Sequence, residues 1–181
     1  FGLIMVFSAS SVEALLDDEA SYSIFAKQLL FAVVGTAVAA WAARWPIRWW
    51  RRLAAVSLIG AVALQAAVFV PGLGVKVNGN LNWLAVGPVQ IQPSEFAKIA
   101  LVLTGAAIFA NKGSLVGNWL HAVLPYVVPI SAVVLALVLA GHDLGTGLVM
   151  GLIVAAVLFV AGAPKRLFVL GGLAVLGGIG Y

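Results

Sequence analysis

A dense set of polar residues in the middle of this 181-residue chain is the first place to look for chemistry. Glu95 and Lys98 are three residues apart, so on a helix they share one face and can pair. A charged pair inside a membrane segment is tolerated only toward a protein interior or a water-filled cavity, which predicts a functional site. The alternative is simple capping, in which Gln92 is the N-cap, Pro93 follows and Glu95 complements the helix dipole.

Further polar groups precede this pair in a segment rich in Asn and Gly. Asn78-Gly79 is typical of a tight turn, because both residues tolerate the left-handed conformation. Asn82 could simply satisfy backbone groups of a loop, and Trp83 could sit in an interfacial aromatic belt. The candidates predicted to line the cavity with the charged pair are Lys76, Asn78, Trp83, Gln92 and Ser94.

A third carboxylate, Asp143, lies directly before the segment Leu144-Gly145-Thr146-Gly147. It is expected either to cap the helix that follows or to act as a carboxylate that holds a cation near a phosphate-bearing substrate. The neighbouring His142 does not complete a metal site, so no zinc is expected. The lone amide of Gln65 predicts an interhelical hydrogen bond. Motifs for ATP hydrolysis, dinucleotide binding and serine hydrolysis are absent from the sequence.

The composition indicates which elements must position these residues. Hydrophobic residues make up 64% of the chain and charged residues 9%, against roughly 25% charged in soluble domains. The mean hydropathy is +1.14. These values exclude a soluble globular protein and predict an all-α, polytopic integral membrane helix bundle. The absence of cysteine excludes disulfides and thiolate metal sites.

Apolar runs long enough for a bilayer core of about 30 Å predict about seven spans in one transmembrane domain. Pro125 and Pro129 are expected to bend the fifth span. Because the chain starts at Phe1 and stops inside an apolar run, we expect a domain truncated at both ends. The predicted spans are residues 1–12, 24–43, 53–70, 93–110, 119–140, 144–162 and 167–181.

The charge distribution predicts the orientation in the membrane. Seven of the basic residues fall in the alternate connections 44–52, 111–118 and 164–166, which are therefore expected to be cytoplasmic. All six acidic residues fall on or near the opposite side. The pI of 9.8 does not indicate nucleic-acid binding, because the basic residues are spread among short connections.

Three motifs together resemble the SEDS family (shape, elongation, division and sporulation), which contains FtsW, RodA and SpoVE. The segments 78–84 and 91–98 resemble its N-G-x-x-R-W and Q-P-S-E-x-x-K signatures, and Asp143-Leu144-Gly145-Thr146 resembles its P-D-L-G-T motif. The likeness covers essentially the whole chain and is greatest to the actinobacterial division branch, FtsW. Asn82 stands where the family usually has Arg, so Lys76 is one candidate to replace that charge.

The resemblance implies a ten-span peptidoglycan glycosyltransferase that polymerises glycan strands from lipid II at the outer face of the bacterial cytoplasmic membrane, in cell division or wall elongation. It also implies a class B penicillin-binding protein and other divisome membrane proteins as partners. No catalytic residue is expected within this chain, because the family's presumed base follows the seventh span. Glu95, Lys98, Asp143, Asn78 and Trp83 carry over as residues of the cavity. A divalent cation, Mg or Mn, is a candidate cofactor.

Two other functions remain open at this point. Charged residues in a helical bundle with Pro-bent spans also suit a transporter or a flippase for lipid-linked precursors. A third hypothesis is a non-catalytic scaffold that recruits division proteins.

Overall fold

The computed structural model describes residues 21–77, 79–87 and 89–179, together with residues 2 and 5. The predicted span 1–12 therefore lies almost wholly outside the described residues. The chain divides into two compact units, Phe1–Pro46 and Ile47–Tyr181. In the first unit, helix α1 (Ser21–Ala42) is largely apolar, and the ring of Trp41 in its last turn meets the ring of Trp45 edge to face at 4.6 Å.

The second unit is built around the antiparallel helices α2 (Ile47–Ala67) and α3 (Pro93–Lys112). Thr104 on α3 donates its hydroxyl to the carbonyl oxygen of Ala54 on α2 at 3.1 Å. The buried face of α2 consists of Ala54, Ala61 and Gln65, so small side chains allow the two helices to approach closely. Helix α2 begins before the predicted span 53–70, since its Arg-rich first turns are themselves helical.

A three-stranded antiparallel sheet connects α2 to α3, and it corrects the all-α prediction. Its strands β1 (Gly74–Val77), β2 (Asn80–Val86) and β3 (Val89–Ile91) are ordered β1-β2-β3. Gly79 turns the chain between β1 and β2 at a φ of 86°. This segment is too polar to form a span, and the strands give its backbone groups the hydrogen-bond partners that they require.

The remaining elements follow α3 in chain order. A 3₁₀ turn (Gly113–Gly117) leads into α4 (Trp119–Ala122), a π-helical segment (Val123–Ser131) and α5 (Ala132–Ala140). Pro129 lies inside the π-helical segment, where its missing N–H disrupts regular α-helical bonding. Helices α6 (Leu144–Val160) and α7 (Lys165–Ile179) complete the described chain.

The core of the second unit lies where α3, the π-helical segment and α6 meet. Tyr126 is fully buried, donates its hydroxyl to the carbonyl oxygen of Leu101 at 3.1 Å, and meets the ring of Phe109 edge to face. Gly105 faces this cluster: a Cβ there would lie 2.6 Å from Val157 Cγ1 and 2.9 Å from the Tyr126 ring. Only a residue without a side chain fits this contact without displacing its neighbours.

Among the described residues, three helices are long and apolar enough to cross a membrane: Phe25–Ala42, Pro93–Lys112 and Trp119–Ala140. Leu144–Val160 is a shorter apolar helix. The fold is thus a largely helical membrane bundle that carries a small sheet.

Candidate functional site

Asp143 caps helix α6, as one of its two predicted roles requires. One carboxylate oxygen, Oδ1, accepts the backbone N–H of Thr146 at 3.0 Å, and the other, Oδ2, accepts the Thr146 hydroxyl at 2.7 Å. His142 precedes it with a φ of 63°, which turns the chain sharply between α5 and α6. Only 6% of Asp143 is exposed, so the carboxylate is held in place by the chain rather than by water.

The sheet contributes a further partner to the same carboxylate. The side-chain amide of Asn82, on β2, donates from Nδ2 to Asp143 Oδ2, and both residues are buried. Next to this bond, the backbone N–H of Leu81 donates to the carbonyl oxygen of Gly141 at 2.9 Å. A Cβ at Gly141 would collide with the Leu81 carbonyl, so the strand and the α5–α6 connection are in direct backbone contact. Together the two bonds fasten the sheet to the start of α6.

These contacts set the charge state of Asp143. Burial raises the pKa of its carboxyl group, but the hydrogen bonds from Thr146 and the interactions with the Asn82 and Gln92 side chains lower the pKa by more. The net effect is a pKa below the usual range of an aspartate. Asp143 is therefore a buried, ionised carboxylate at neutral pH.

Glu95 and Lys98 form the ion pair that their spacing predicts. Lys98 Nζ lies 2.8 Å from Glu95 Oε1 in the first turns of α3. The Lys98 side chain is 25% exposed and the Glu95 side chain 58%. Partly exposed pairs of this kind contribute about 0–1 kcal/mol to stability. The stability that this pair contributes is thus too small to explain why two charged residues occur at this position of an apolar chain.

The capping alternative for this helix start is realised only in part. Gln92 occupies the N-cap position and Pro93 follows, but the Gln92 side chain makes no cap hydrogen bond. Glu95 lies in the first turn, where its charge complements the helix dipole. The Glu95 carboxylate is therefore oriented by Lys98, and it also stabilises the N-terminus of the helix through its negative charge.

The other predicted site residues lie near this helix start, on or beside the sheet. Ser94 is fully buried, and its hydroxyl has no partner among the described residues. Trp83 is half-buried on β2 and faces Val75 across the strand pair. Lys76 is exposed and pairs in register with Leu81, so it lies on the opposite sheet face from Asn82. Asn78 lies outside the described residues.

Two features were not predicted from the sequence. The Asn82–Asp143 bond joins residues 61 positions apart, and no local pattern indicates it. Gln65 was expected to form an interhelical hydrogen bond, and this prediction is wrong for the described part of the chain. Only 1% of Gln65 is exposed, and neither its Oε1 nor its Nε2 has a partner there. The Gln65 amide lies on the buried face of α2, together with Ala54 and Ala61.

The charges divide between the two ends of the second unit. We call the end at which α3 and α6 begin the acidic end, because it carries Glu95 and Asp143. The other end, where α3 finishes and α7 begins, carries Lys112, Lys165 and Arg166 and is called the basic end. The described residues contain no cluster of three or more His, Cys, Asp or Glu side chains that could hold a metal ion.

The acidic end therefore offers a sheet that carries the exposed Lys76, a buried carboxylate and the partly exposed Lys98 within a short stretch of structure. Lys98 can attract an anionic group of a ligand, while Asp143 and Asn82 hold the sheet in a fixed position beside α6. Among the described residues, the unpartnered oxygen atoms of Asn82 and Ser94 add hydrogen-bonding capacity that the protein itself does not use.

Comparison with known proteins identifies relatives along nearly the whole chain. A Mycobacterium tuberculosis protein named "Probable peptidoglycan glycosyltransferase FtsW" is 37% identical over 167 residues, which are 92% of this chain and 32% of that protein. A Geobacter sulfurreducens protein of the same name is 38% identical over 176 residues, or 97% of this chain and 47% of that protein. The chain thus spans about a third to a half of these relatives.

Solved structures show the same architecture. A chain of the structure described as "Structural coordination of polymerization and crosslinking by a peptidoglycan synthase complex" matches with a TM-score of 0.71 at 28% identity. The match covers 97% of this chain and 51% of that chain. The rod shape determining protein RodA of Thermus thermophilus matches with a TM-score of 0.68 at 28% identity, over 97% of this chain and 58% of RodA.

A family model then decides the membership that the three motifs indicated. The FtsW/RodA/SpoVE model, described as "Cell cycle protein", matches residues 1–180. This chain therefore belongs to the FtsW/RodA/SpoVE family of cell cycle proteins.

Proposed function

We propose that the protein carrying this chain is a peptidoglycan glycosyltransferase that builds glycan strands from lipid II during cell division or wall elongation. The main support is the name shared by relatives at 37–38% identity, "Probable peptidoglycan glycosyltransferase FtsW". The chain covers only part of those relatives, so the activity is proposed for the whole protein.

One structural observation carries the proposal. The motif that begins at Asp143 lies far along the sequence from the neighbouring motifs 78–84 and 91–98, and it meets them at the acidic end through the Asn82–Asp143 hydrogen bond and the sheet that leads into α3. A purely structural role requires no exposed ion pair at that place, whereas a phosphate-bearing substrate does benefit from a fixed cation. The acidic end is thus the part of this chain that we assign to the substrate cavity.

The residues of the cavity take different roles. Glycosyl transfer requires a base for the attacking sugar hydroxyl and positive charge for the departing lipid pyrophosphate. Lys98 supplies positive charge for the pyrophosphate, and Glu95 holds the Lys98 ammonium in position through their 2.8 Å contact. Asp143 and Asn82 fix the sheet, and Trp83, Gln92, Ser94 and Lys76 are the other residues that we place around the substrate. The base itself is assigned to a part of the protein outside this sequence.

A divalent cation, Mg or Mn, would have to bind the Asp143 carboxylate alongside the hydrogen bonds that this group already accepts. Asp143 already accepts three hydrogen bonds, and the described residues add the buried, unpartnered Oδ1 of Asn82 as a second oxygen ligand. Mg commonly takes one or two protein carboxylates and completes its shell with water and substrate phosphates. Asp143 and Asn82 would hold such an ion, which would supply positive charge for the leaving pyrophosphate.

The membrane setting and the partners complete the proposal. We place the protein in the bacterial cytoplasmic membrane, with the basic end and the connections 44–52, 111–118 and 164–166 in the cytoplasm, because the positive charges favour that side. The acidic end then faces outward, where lipid II is polymerised. A class B penicillin-binding protein and other divisome proteins are proposed as partners, and the likeness to a chain described with a peptidoglycan synthase complex supports the former.

The discriminating experiment separates polymerisation from transport and scaffolding. The full-length protein, purified with its penicillin-binding partner, is incubated in detergent with labelled lipid II, and the products are resolved on a gel. A polymerase gives a glycan ladder without a second compartment, whereas a flippase gives a product only across a bilayer. Absence of a ladder from folded, partner-bound protein, tested with Mg and with Mn, would refute the polymerase proposal.

A further inference from the structure

A groove at the basic end of the second unit is separate from the proposed substrate cavity. It has a volume of about 730 Å³ and lies between the segment that follows α3 and the start of α7. Its walls are apolar and include Trp119, Val123, Leu167 and Leu170. The acidic end is at the far side of α3 and α6, so this groove shares no residue with the site described above.

Two cations line one part of this groove. Lys165 and Arg166 are adjacent, exposed and located where α7 begins. None of the lining residues is acidic, and the only ion pair among the described residues joins Lys98 to Glu95. The polar Asn118 of the lining already uses its side-chain oxygen to accept the backbone N–H of Leu120 at 3.1 Å. The groove thus combines apolar walls with positive charge that no described carboxylate neutralises.

The surroundings of the groove limit what can occupy it. Lys112, the other cation nearby, directs its ammonium to the carbonyl oxygen of His121 at 3.3 Å. Trp119 is more than half exposed, as expected of an indole at a membrane–water boundary. A small hydrophilic anion would leave the apolar walls unused, whereas an uncharged lipid would leave the cations unpaired. Apolar walls with a cationic edge match an amphiphile that has acyl chains and an anionic head.

We propose that this groove binds an anionic phospholipid of the cytoplasmic leaflet, with Lys165 and Arg166 at its phosphate group. Basic pockets between helices on the cytoplasmic side are suited to such headgroups. The acyl chains lie along Leu167 and Leu170 on α7 and along Val123 on the facing segment. The groove volume lies within the range of about 300–1,000 Å³ that is typical of small-molecule binding sites in proteins. The inference rests on the membrane orientation in the proposed function, but not on the polymerase activity.

The test uses the full-length protein reconstituted in phosphatidylcholine vesicles that contain a photoreactive phosphatidylglycerol or a photoreactive phosphatidylcholine. After illumination, labelled peptides are mapped by mass spectrometry. We expect phosphatidylglycerol to label peptides covering residues 117–123 and 164–170 far more than phosphatidylcholine does. Each basic side chain near an anionic surface contributes roughly a five-fold factor, so Lys165→Gln with Arg166→Gln is expected to weaken labelling roughly thirty-fold.

Two further variants keep the inference testable. Arg48→Gln with Arg51→Gln removes the same charge from the start of α2, at the same end of the unit but outside the groove, and is expected to leave labelling unchanged. Leu170→Trp fills the groove without changing its charge and is expected to reduce labelling.

Three results would overturn the inference. The first is equal labelling by the two lipids, and the second is equal loss of labelling in the Arg48 and Arg51 control. The third is a groove that stays unlabelled while the photoreactive lipids label other parts of the protein. Since the readout is lipid labelling, failure here is distinct from failure to synthesise glycan.

Discussion

The buried hydrogen bond between Asn82 and Asp143 is expected to couple the sheet energetically to α6. A hydrogen bond to a charged group contributes about 1.5–3 kcal/mol. Asn82→Ala removes this bond but also removes the unpartnered Oδ1, whose burial is itself unfavourable by about 1–3 kcal/mol. We therefore expect Asn82→Ala alone to lower the free energy of unfolding by only about 1 kcal/mol.

Asp143→Ala is expected to have a larger effect. It removes the same bond, deletes the α6 cap at about 0.5–2 kcal/mol, and leaves the Asn82 amide without an acceptor. The summed expectation is a loss of about 2–5 kcal/mol. Once Asp143 is gone, Asn82→Ala no longer removes a bond, so the double variant is destabilised by about 1.5–3 kcal/mol less than the sum of the single variants.

The assay is reversible unfolding of the full-length protein in mixed micelles, followed by tryptophan fluorescence, with Trp83 next to the substituted strand position. A control cycle combines Asn82→Ala with Thr104→Val, whose hydroxyl bonds Ala54 elsewhere in the unit. The control is expected to be additive within about 0.5 kcal/mol. A coupling energy below about 0.5 kcal/mol between Asn82 and Asp143 would show that this bond does not join the sheet energetically to α6.

Three further predictions concern the same second unit. Gln65→Leu is expected to raise the free energy of unfolding by about 1 kcal/mol, because it removes a buried amide without partners; a lower midpoint in the same unfolding assay would show that the amide is satisfied in the whole protein. Gly105→Ala is expected to destabilise by about 1–3 kcal/mol through its contact with the core, whereas Gly60→Ala, with open space around its Cβ position, is expected to be neutral or stabilising; equal midpoints for the two variants would contradict this. Because the folded-state pKa of Asp143 lies below the unfolded value, its contribution to stability is present above the unfolded carboxyl pKa of about 4 and is lost as pH falls through the folded pKa. Asp143→Asn is therefore expected to make the free energy of unfolding depend less on pH in the acidic range. An unchanged dependence on pH there would show that other groups dominate it.

Local features of the site were predictable because they depend on spacing along one helix. The interval between Glu95 and Lys98 predicted an ion pair, and the structure confirms it. The position of Asp143 before Leu144-Gly145-Thr146 predicted an N-cap as one of its two possible roles, and the structure confirms the cap. Both interactions join residues within one turn, so the sequence alone brings them together.

The sheet and its long-range bond could not be obtained in the same way. Apolar and polar residues alternate on both sides of Asn78-Gly79, and this pattern is typical of a β-hairpin. The length criterion for membrane spans does not detect such strands, because they are only three to seven residues long. The approach of Asn82 to Asp143 depends on how α5 and α6 pack beside the sheet. The π-helical form of the proline-containing segment likewise depends on packing around Tyr126.

In the function that we propose, Lys98, positioned by Glu95, provides positive charge for the substrate pyrophosphate. The most direct test is glycan synthesis from labelled lipid II by the full-length protein with its penicillin-binding partner, comparing Glu95→Gln, Lys98→Met and the charge swap Glu95→Lys with Lys98→Glu. Lys112→Met, at the other end of the same helix, is the matched control. We expect the glycan ladder to be lost in Lys98→Met and in the swap, to be reduced in Glu95→Gln, and to persist in Lys112→Met. A swap variant that restores the full ladder would contradict the claim, because it would show that the pair serves only to stabilise the helix.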